Sequence, residues 1–364
     1  MPPIRVMVVD DSIVVRKIVT DVLSEDPGIE VVGTAVNGKV ALAKLDALKP
    51  DIITMDIEMP ELNGIQTVAA IRKTGRRTPI IMFSTLTERG ATATLDALAA
   101  GADDYVTKPA NVGSVGQSKE SVREQLIPRI RVLTGRPAAP VAGGAVARPL
   151  AAPVPARPRT GLRKTPAVLV IGSSTGGPDA LARVIPRLPA DYPLPILVVQ
   201  HMPPVFTTQF AARLDRLSAL RVVEATAGSP IAPGTVHIAP GNFHLTVAPG
   251  AGLRRTALDQ SAPENFCRPA VDVLFRSAAT AYDGAVLAVV LTGMGSDGKV
   301  GTGRVREAGG TVVAQDQATS VVWGMPGAVT QAGHADEVVP LDRVTDTILR
   351  LTPSRPSTLV GARL

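Results

Sequence analysis

The sequence predicts two α/β domains in tandem, each with a doubly wound and mostly parallel sheet. Three observations carry this. Short apolar or β-branched runs alternate with helical periodicity through residues 4–133, and the same alternation resumes at Val168. Between them lies a Pro- and Ala-rich stretch with no apolar period. Small and polar residues recur immediately after the predicted strands, where an open α/β sheet gathers its ligands. At 364 residues the chain has room for two such domains.

In the first half the strand-like runs are Ile4–Val9, Glu30–Ala35, Asp51–Met55, Pro79–Phe83 and Asp104–Thr107. Helical patterns fall between them at about 13–24, 38–48, 64–74, 88–100 and 118–133. Five β/α units with short connections imply a five-stranded parallel sheet. Asp10 and Asp11 end the first strand, Asp56 the third, Ser84 the fourth, and Lys108 with Pro109 the fifth. Three carboxylates at one sheet edge repel one another unless a hard cation joins them, and Mg²⁺ suits such a set. A lysine and a hydroxyl beside them are the partners a phosphoryl group needs, so phosphoryl transfer onto a carboxylate is the expected chemistry. Taken singly, Asp11 or Ser12 reads equally as a helix N-cap.

These residues make 1–125 resemble a response-regulator receiver domain, a flavodoxin-like fold. The resemblance rests on Val-Asp10-Asp11-Ser, Met-Asp56-Ile-Glu-Met-Pro60 with Asn63-Gly64, Ser84, and Tyr105-Val-Thr-Lys108-Pro109. It implies Asp56 as phosphoacceptor, and Mg²⁺ held by Asp10, Asp11, Asp56 and the Glu58 carbonyl. It further implies phosphoryl contacts from Ser84 and Lys108, a responsive aromatic at Tyr105, and a Lys108–Pro109 bond that is cis in relatives.

Residues 134–166 carry seven prolines, eight alanines, six basic residues and no acid. Such a composition buries no core, and 126–165 reads as a helix end followed by a basic linker. The net charge of +6 lies wholly there, for 1–133 holds 16 basic against 17 acidic residues and 167–364 holds 16 against 15. A pI near 9.7 therefore marks no nucleic-acid-binding face, and 3% aromatic residues offer little base stacking. No apolar run approaches the roughly 20 residues of a membrane span, and the N-terminus has no signal-peptide anatomy. The expected location is the cytoplasm. The single cysteine, Cys267, rules out an internal disulfide and reads as packing.

The second domain, expected over 166–356, opens with Val168-Leu-Val-Ile-Gly-Ser-Ser-Thr-Gly-Gly177. Four strand-forming residues run into a tight turn, and Pro178 suits the first turn of a helix. Gly172-Ser-Ser174-Thr-Gly176 fits G-x-S-x-G, the elbow that exposes a nucleophilic serine. By itself the motif reads equally as a phosphate-cradling loop or a plain turn. Further strands are expected at Pro195–Val199, at Ala285–Leu291 and at Thr311–Ala314. Helices are expected at Val205–Leu217, Pro269–Ala281, 298–308 and Leu341–Leu351, and short strands or a hairpin between Arg221 and Leu258. Ser174, His201 and Asp297 each follow a strand, which supplies a nucleophile, a base and an orienting acid at one edge. Alone, His201 reads as structural and Asp297 as a cap for 298–308. His237, His244 and His334 keep the structural reading.

The second half is similar to the catalytic domain of chemotaxis protein-glutamate methylesterases of the CheB type over nearly all of 167–350. The motifs are Ile171-Gly-Ser-Ser174-Thr-Gly-Gly177, Gln200-His201-Met-Pro203, Ile238-Ala-Pro-Gly241, Arg268-Pro-Ala-Val-Asp-Val-Leu-Phe275, Leu291-Thr-Gly-Met294-Gly-Ser-Asp297-Gly and Gly324-Met-Pro326. Ser173 and Ala270 depart from close relatives, and neither touches the triad. The resemblance implies a Ser174–His201–Asp297 triad, with the Met294 N–H as an oxyanion donor. It implies a phosphorylation-activated hydrolase that demethylates receptor glutamyl esters and deamidates glutamines, with no cofactor for hydrolysis. Its implied partners are a CheA-type histidine kinase and methyl-accepting chemoreceptors, with neither nucleic acid nor membrane insertion. The rival reading is a receiver joined to a non-catalytic module that cradles a nucleotide phosphate.

Overall fold

The computed structural model describes residues 2–108, 115–136, 163–248 and 252–353. The chain divides into two compact units, Met1–Ala151 and Ala152–Leu364. The expected linker over 126–165 straddles that division, and its stretch 137–162 lies outside the described residues.

In the first unit β1 (Ile4–Val9), β2 (Ile29–Ala35), β3 (Ile52–Asp56), β4 (Ile80–Ser84) and β5 (Asp104–Thr107) form one parallel sheet in the order β2-β1-β3-β4-β5. The helices are α1 (Ile13–Ser24), α2 (Gly38–Leu48), α3 (Gly64–Lys73), α4 (Glu88–Ala99) and α5 (Val115–Leu133). β3 and β4 are buried throughout, as continuous apolar runs in a parallel sheet must be. The order reverses between β1 and β3, so the residues after those strands border the crevice at the switch point. Asp10, Asp11 and Asp56 are those residues.

The second unit is built on seven parallel strands in the order β14-β13-β12-β6-β7-β9-β8. In chain order they are β6 (Val168–Ser173), β7 (Ile196–Gln200), β8 (Arg221–Glu224), β9 (Thr235–Ile238), β12 (Val286–Val290), β13 (Thr311–Gln315) and β14 (Glu337–Val339). An antiparallel pair, β10 (His244–Val247) and β11 (Thr256–Asp259), stands apart. The helices are α6 (Gly177–Val184), α7 (Pro204–Leu217), α8 (Val271–Ala281), α9 (Lys299–Glu307), α10 (Met325–Gln331) and α11 (Leu341–Leu351). β6 is central and wholly buried, flanked by β7 on one side and β12 on the other. Burying each of its large apolar side chains contributes about 1.5–3 kcal/mol. Ser174, His201 and Asp297 follow these three adjacent strands.

The doubly wound prediction holds in both units. The stretch between Arg221 and Leu258 resolves into two parallel strands at one end of the sheet, β8 forming its edge, and one antiparallel pair. α10 and β14 were not foreseen: the first begins Met-Pro-Gly, a poor helix signal, and the second has only three residues.

Candidate active site

Parallel pairing of β6 with β7 sets Ser173 opposite Gln200, and the His201 N–H donates to the Ser173 carbonyl at 3.1 Å, so Ser173, expected to stand clear of the triad, touches it through its backbone. Buried Gln200 locks the two strand ends together. Its Oε1 accepts from Ser173 Oγ at 2.7 Å, while Nε2 donates to the carbonyls of Ser174 (3.0 Å) and His201 (3.2 Å). The Ser174 N–H donates to the Thr292 carbonyl at 3.0 Å, which ties the turn to the loop after β12. Gly176 has φ +75° at the mouth of α6, a conformation that favours glycine. Gly293 must also be glycine, because a Cβ there would stand 2.4 Å from Met325 Sδ and 2.9 Å from Ser174 Cβ. Ser174 is half-buried.

The acid and the histidine are joined. His201 Nε2 lies 2.8 Å from Asp297 Oδ2. Asp297 is buried, and four N–H donors hold it: Val271 N (2.7 Å), Asp272 N (2.9 Å), Gly298 N (2.9 Å) and Asn265 Nδ2 (3.0 Å). The first two belong to the opening turn of α8, whose own N-cap residue, Ala270, has no side-chain acceptor. Asp297 thus caps α8 as well as bonding its own neighbour, and α8 offers it the positive end of its dipole. Burial alone would raise the Asp297 carboxyl, but the bonds from His201 and the α8 backbone hold it below the usual range. An ionised Asp297 only accepts, so the proton of neutral His201 sits on Nε2 and Nδ1 is the basic nitrogen.

Nδ1 faces Cys267 Sγ at 3.5 Å. Among the described residues no hydrogen bond joins it to Ser174 Oγ. Burial would depress the imidazole, yet Asp297 and then Cys267 raise it to about 10. Packing is therefore not the whole role of Cys267: the fold lays it on the base, a placement that no local pattern encodes. Gln200, Asn265 and Asp272 were likewise not singled out from the sequence. Asn265 Nδ2 also reaches Asp272 Oδ2 at 3.0 Å, and Asp272, raised to about 6 by burial, accepts from Gly301 N in α9 at 2.6 Å.

Met294 lies in the loop that carries Asp297, two residues after Thr292. Its N–H donates to no described residue, while the adjacent Gly293 carbonyl accepts from Gly324 and Met325. His244 is a scaffold residue, its Nδ1 accepting from Ala270 N at 3.2 Å. His237 is buried on β9 and His334 sits 3.0 Å from the Lys299 carbonyl.

The acidic crevice of the first unit brings Asp10, Asp11, Asp56 and Lys108 together. Ser12, not Asp11, caps α1, accepting from Val15 N at 3.3 Å, which leaves Asp11 exposed at the crevice. Carboxylate oxygens of Asp10, Asp11 and Asp56 lie within 4.8 Å of one another. Lys108 Nζ is 2.7 Å from Asp56 Oδ2 and 3.6 Å from Asp10 Oδ2, an oxygen that is buried and accepts no hydrogen bond. Burial, and then the charge of Asp56, push Asp10 up to about 6, and burial raises Asp56 as well. Three close carboxylates, two of them resisting ionisation, form a donor set that fits a hard divalent cation. Glu58 borders this crevice with its side chain turned to Arg89 at 3.3 Å. Ser84 is buried and engaged with α4, taking a 2.6 Å bond from Thr94 Oγ1 and donating to the Gly90 carbonyl at 3.2 Å. Its neighbour Thr85 lines the small cavity over Asp56 and Lys108, a placement the sequence did not suggest. Tyr105 is half-buried on β5. Pro109, and with it the Lys108–Pro109 bond, lies outside the described residues.

Comparison with known proteins agrees with both halves. The CheB methylesterase family model matches residues 169–348, and the response regulator receiver domain model matches 6–117. A protein-glutamate methylesterase/protein-glutamine glutaminase of Nocardioides sp. is 60% identical over all of both chains. Its counterpart in Trichodesmium erythraeum is 48% identical over 96% of this chain and 99% of its own. Among solved structures, the catalytic domain of CheB methylesterase from Thermotoga maritima is 48% identical, with a TM-score of 0.51, covering 51% of this chain and 99% of that one. An elbow serine, a carboxylate-bound histidine and a crevice of three carboxylates beside a lysine, in a chain this close to such relatives, leave one assignment: the chain belongs to the CheB methylesterase family, as a protein-glutamate methylesterase/protein-glutamine glutaminase with a response regulator receiver domain before its catalytic domain.

Proposed function

We propose that Ser174, His201 and Asp297 carry the hydrolysis, within a catalytic domain over 166–356 that a receiver over 1–125 controls. The observation that carries this reading is the 2.8 Å bond between His201 and a fully capped Asp297, one strand away from the Ser174 elbow. Ser174 Oγ attacks the γ-carbonyl carbon of a glutamyl methyl ester as its proton passes to His201 Nδ1. The tetrahedral oxyanion is met by the Met294 N–H, a donor with no other partner among the described residues. The bond to methoxide breaks, the imidazolium returns the proton, and methanol leaves. Water then attacks the acyl-enzyme by the same route, releasing glutamate and free Ser174. Asp297 keeps Nε2 protonated and stabilises the imidazolium throughout. A glutamine amide differs only in releasing ammonia.

In the receiver, Asp56 is the phosphoacceptor, and Lys108 and Ser84 or Thr85 contact the phosphoryl oxygens. Asp10, Asp11 and Asp56, with the Glu58 carbonyl, would hold Mg²⁺, which supplies charge neutralisation between the carboxylate and the incoming phosphoryl group. The substrates are the cytoplasmic regions of methyl-accepting chemoreceptors, and the phosphodonor is a CheA-type histidine kinase, which places the protein in the cytoplasm. Among the described residues no helix is long and apolar enough to cross a membrane.

The test is methanol release from methylated receptor, with and without phosphodonor and Mg²⁺. Stoichiometric release that rises with phosphodonor is expected. Nucleotide binding at Gly172–Gly177 without turnover would replace this reading by the binding-module alternative.

A further inference from the structure

Residues 264–267 form a two-residue hairpin turn beside the base. The Cys267 N–H donates to the Glu264 carbonyl at 2.9 Å and the Glu264 N–H donates to the Cys267 carbonyl at 3.1 Å. Asn265 and Phe266, at the tip, both have positive φ, +52° and +62°. Turns of this kind take Asn-Gly, because glycine alone enters the second position without a steric penalty. A phenylalanine here is therefore unfavourable to the fold.

Packing does not explain it, since Phe266 is fully exposed, at 103% relative accessibility. Its neighbours on both sides turn inward to the reaction centre. Asn265 Nδ2 reaches Asp297 Oδ1 at 3.0 Å, and Cys267 Sγ reaches His201 Nδ1 at 3.5 Å. The base of the turn is braced by a two-pronged Arg276–Glu264 ion pair, both contacts at 2.6 Å, and by Arg268, which spans Asn242 Oδ1 (2.6 Å) and the Gln260 and Ser261 carbonyls. The ring thus projects into solvent from a braced turn whose flanking residues touch Asp297 and His201, in a backbone conformation that local energetics disfavour. Strain kept at such a place is offset by what the residue does there.

We infer that Phe266 is a specificity-determining contact for the protein substrate: it packs on an apolar side chain of the polypeptide beside the esterified glutamate. A rigid aromatic ring gives up little rotamer freedom on binding, so one such residue can dominate a small interface. This rests on the proposed receptor substrate and adds that the enzyme reads the surrounding polypeptide, not the ester alone. Phe266→Gly removes the ring and relieves the positive-φ penalty, and its thermal unfolding separates a loss of function from a weakened fold. Phe266→Trp keeps an aromatic anchor.

The experiment measures methanol release from methylated receptor by the phosphorylated full-length protein, with thermal unfolding of each variant. The glycine variant is expected to unfold no earlier than wild type and to raise KM by roughly tenfold with little change in kcat. The tryptophan variant is expected to stay within about twofold of wild-type KM. An unchanged KM in Phe266→Gly, or a fall in kcat at constant KM, would overturn the inference, the latter making the turn a support for His201. Higher activity of unphosphorylated Phe266→Gly would overturn it too, assigning the ring to the receiver. If wild-type protein released no methanol from receptor, the substrate reading itself would fail, and the occupant of this turn with it.

Discussion

Asp272 and Asp297 cap each other's helices. The Asp272 N–H, in the first turn of α8, donates to Asp297 Oδ1 at 2.9 Å, while Asp272 Oδ1 accepts from Gly301 N in the first turn of α9 at 2.6 Å. Asn265 Nδ2 bridges the two carboxylates, 3.0 Å from each. The carboxylate bonded to His201 is thus also a structural element of the fold, and the proposed triad couples function to stability at this one side chain.

That coupling predicts a split between two inactivating variants. Ser174→Ala removes a hydroxyl that bonds to no described residue, so it should leave the melting temperature nearly unchanged while lowering methanol release by about 10⁴-fold or more. Asp297→Ala also strips the acceptor from three buried backbone N–H groups, and should lose about 2–4 kcal/mol of stability as well as activity. Equal melting temperatures for the two variants would show that the cap contributes nothing to folding.

Cys267 predicts a shift in pH dependence. His201 can accept the Ser174 proton only when neutral at Nδ1, so kcat/KM must rise with pH through the raised pKa of the ring. Burial lowers that pKa, while Asp297 and then Cys267 raise it. When the ring is charged its Nδ1–H donates to the sulfur, and Cys267→Ala removes this support for the imidazolium. The rise in kcat/KM should therefore move to lower pH in the variant. A profile that stays in place, or moves up, would mean the sulfur does not tune the base.

In the receiver, Asp56→Asn should abolish acid-labile labelling by a small phosphodonor, because the amide cannot attack phosphorus. Asp11→Ala should leave Asp56 in place and instead raise the Mg²⁺ concentration needed for half-maximal labelling several-fold. Labelling of Asp56→Asn with undiminished Mg²⁺ dependence would move the phosphoacceptor to another carboxylate.

Control by the receiver predicts a difference between intact protein and a fragment starting near Thr165. The fragment should hydrolyse receptor esters faster than the unphosphorylated full-length protein, and phosphodonor should raise only the full-length rate. Equal rates on the same receptor and at the same salt would remove receiver inhibition from the account.

By itself the sequence determined the two doubly wound units and the strand ends where the proposed site residues stand. Short apolar or β-branched runs of four to seven residues set the strands, and in a parallel sheet whatever follows a strand lies at the same edge as its neighbours. This is why Ser174, His201 and Asp297, and separately Asp10, Asp11 and Asp56, were legible without coordinates. What only the tertiary structure decided is how those residues are held. That Asp297 caps α8 rather than merely preceding α9 depends on where α8 packs, and Asn265, Asp272 and Cys267 reach the acid and the base across 25 to 66 residues of chain. Gln200 binds the two strand ends through side-chain amide bonds that exist only once β6 and β7 are in register. Ser84, placed at a strand end by pattern, turns its hydroxyl to Thr94 on α4, while Thr85 takes the cavity over Asp56, because alternate strand residues face opposite sides and the local bend sets which one meets the crevice. Periodicity reports which face a residue belongs to, whereas hydrogen-bond partners distant in sequence are fixed only by packing.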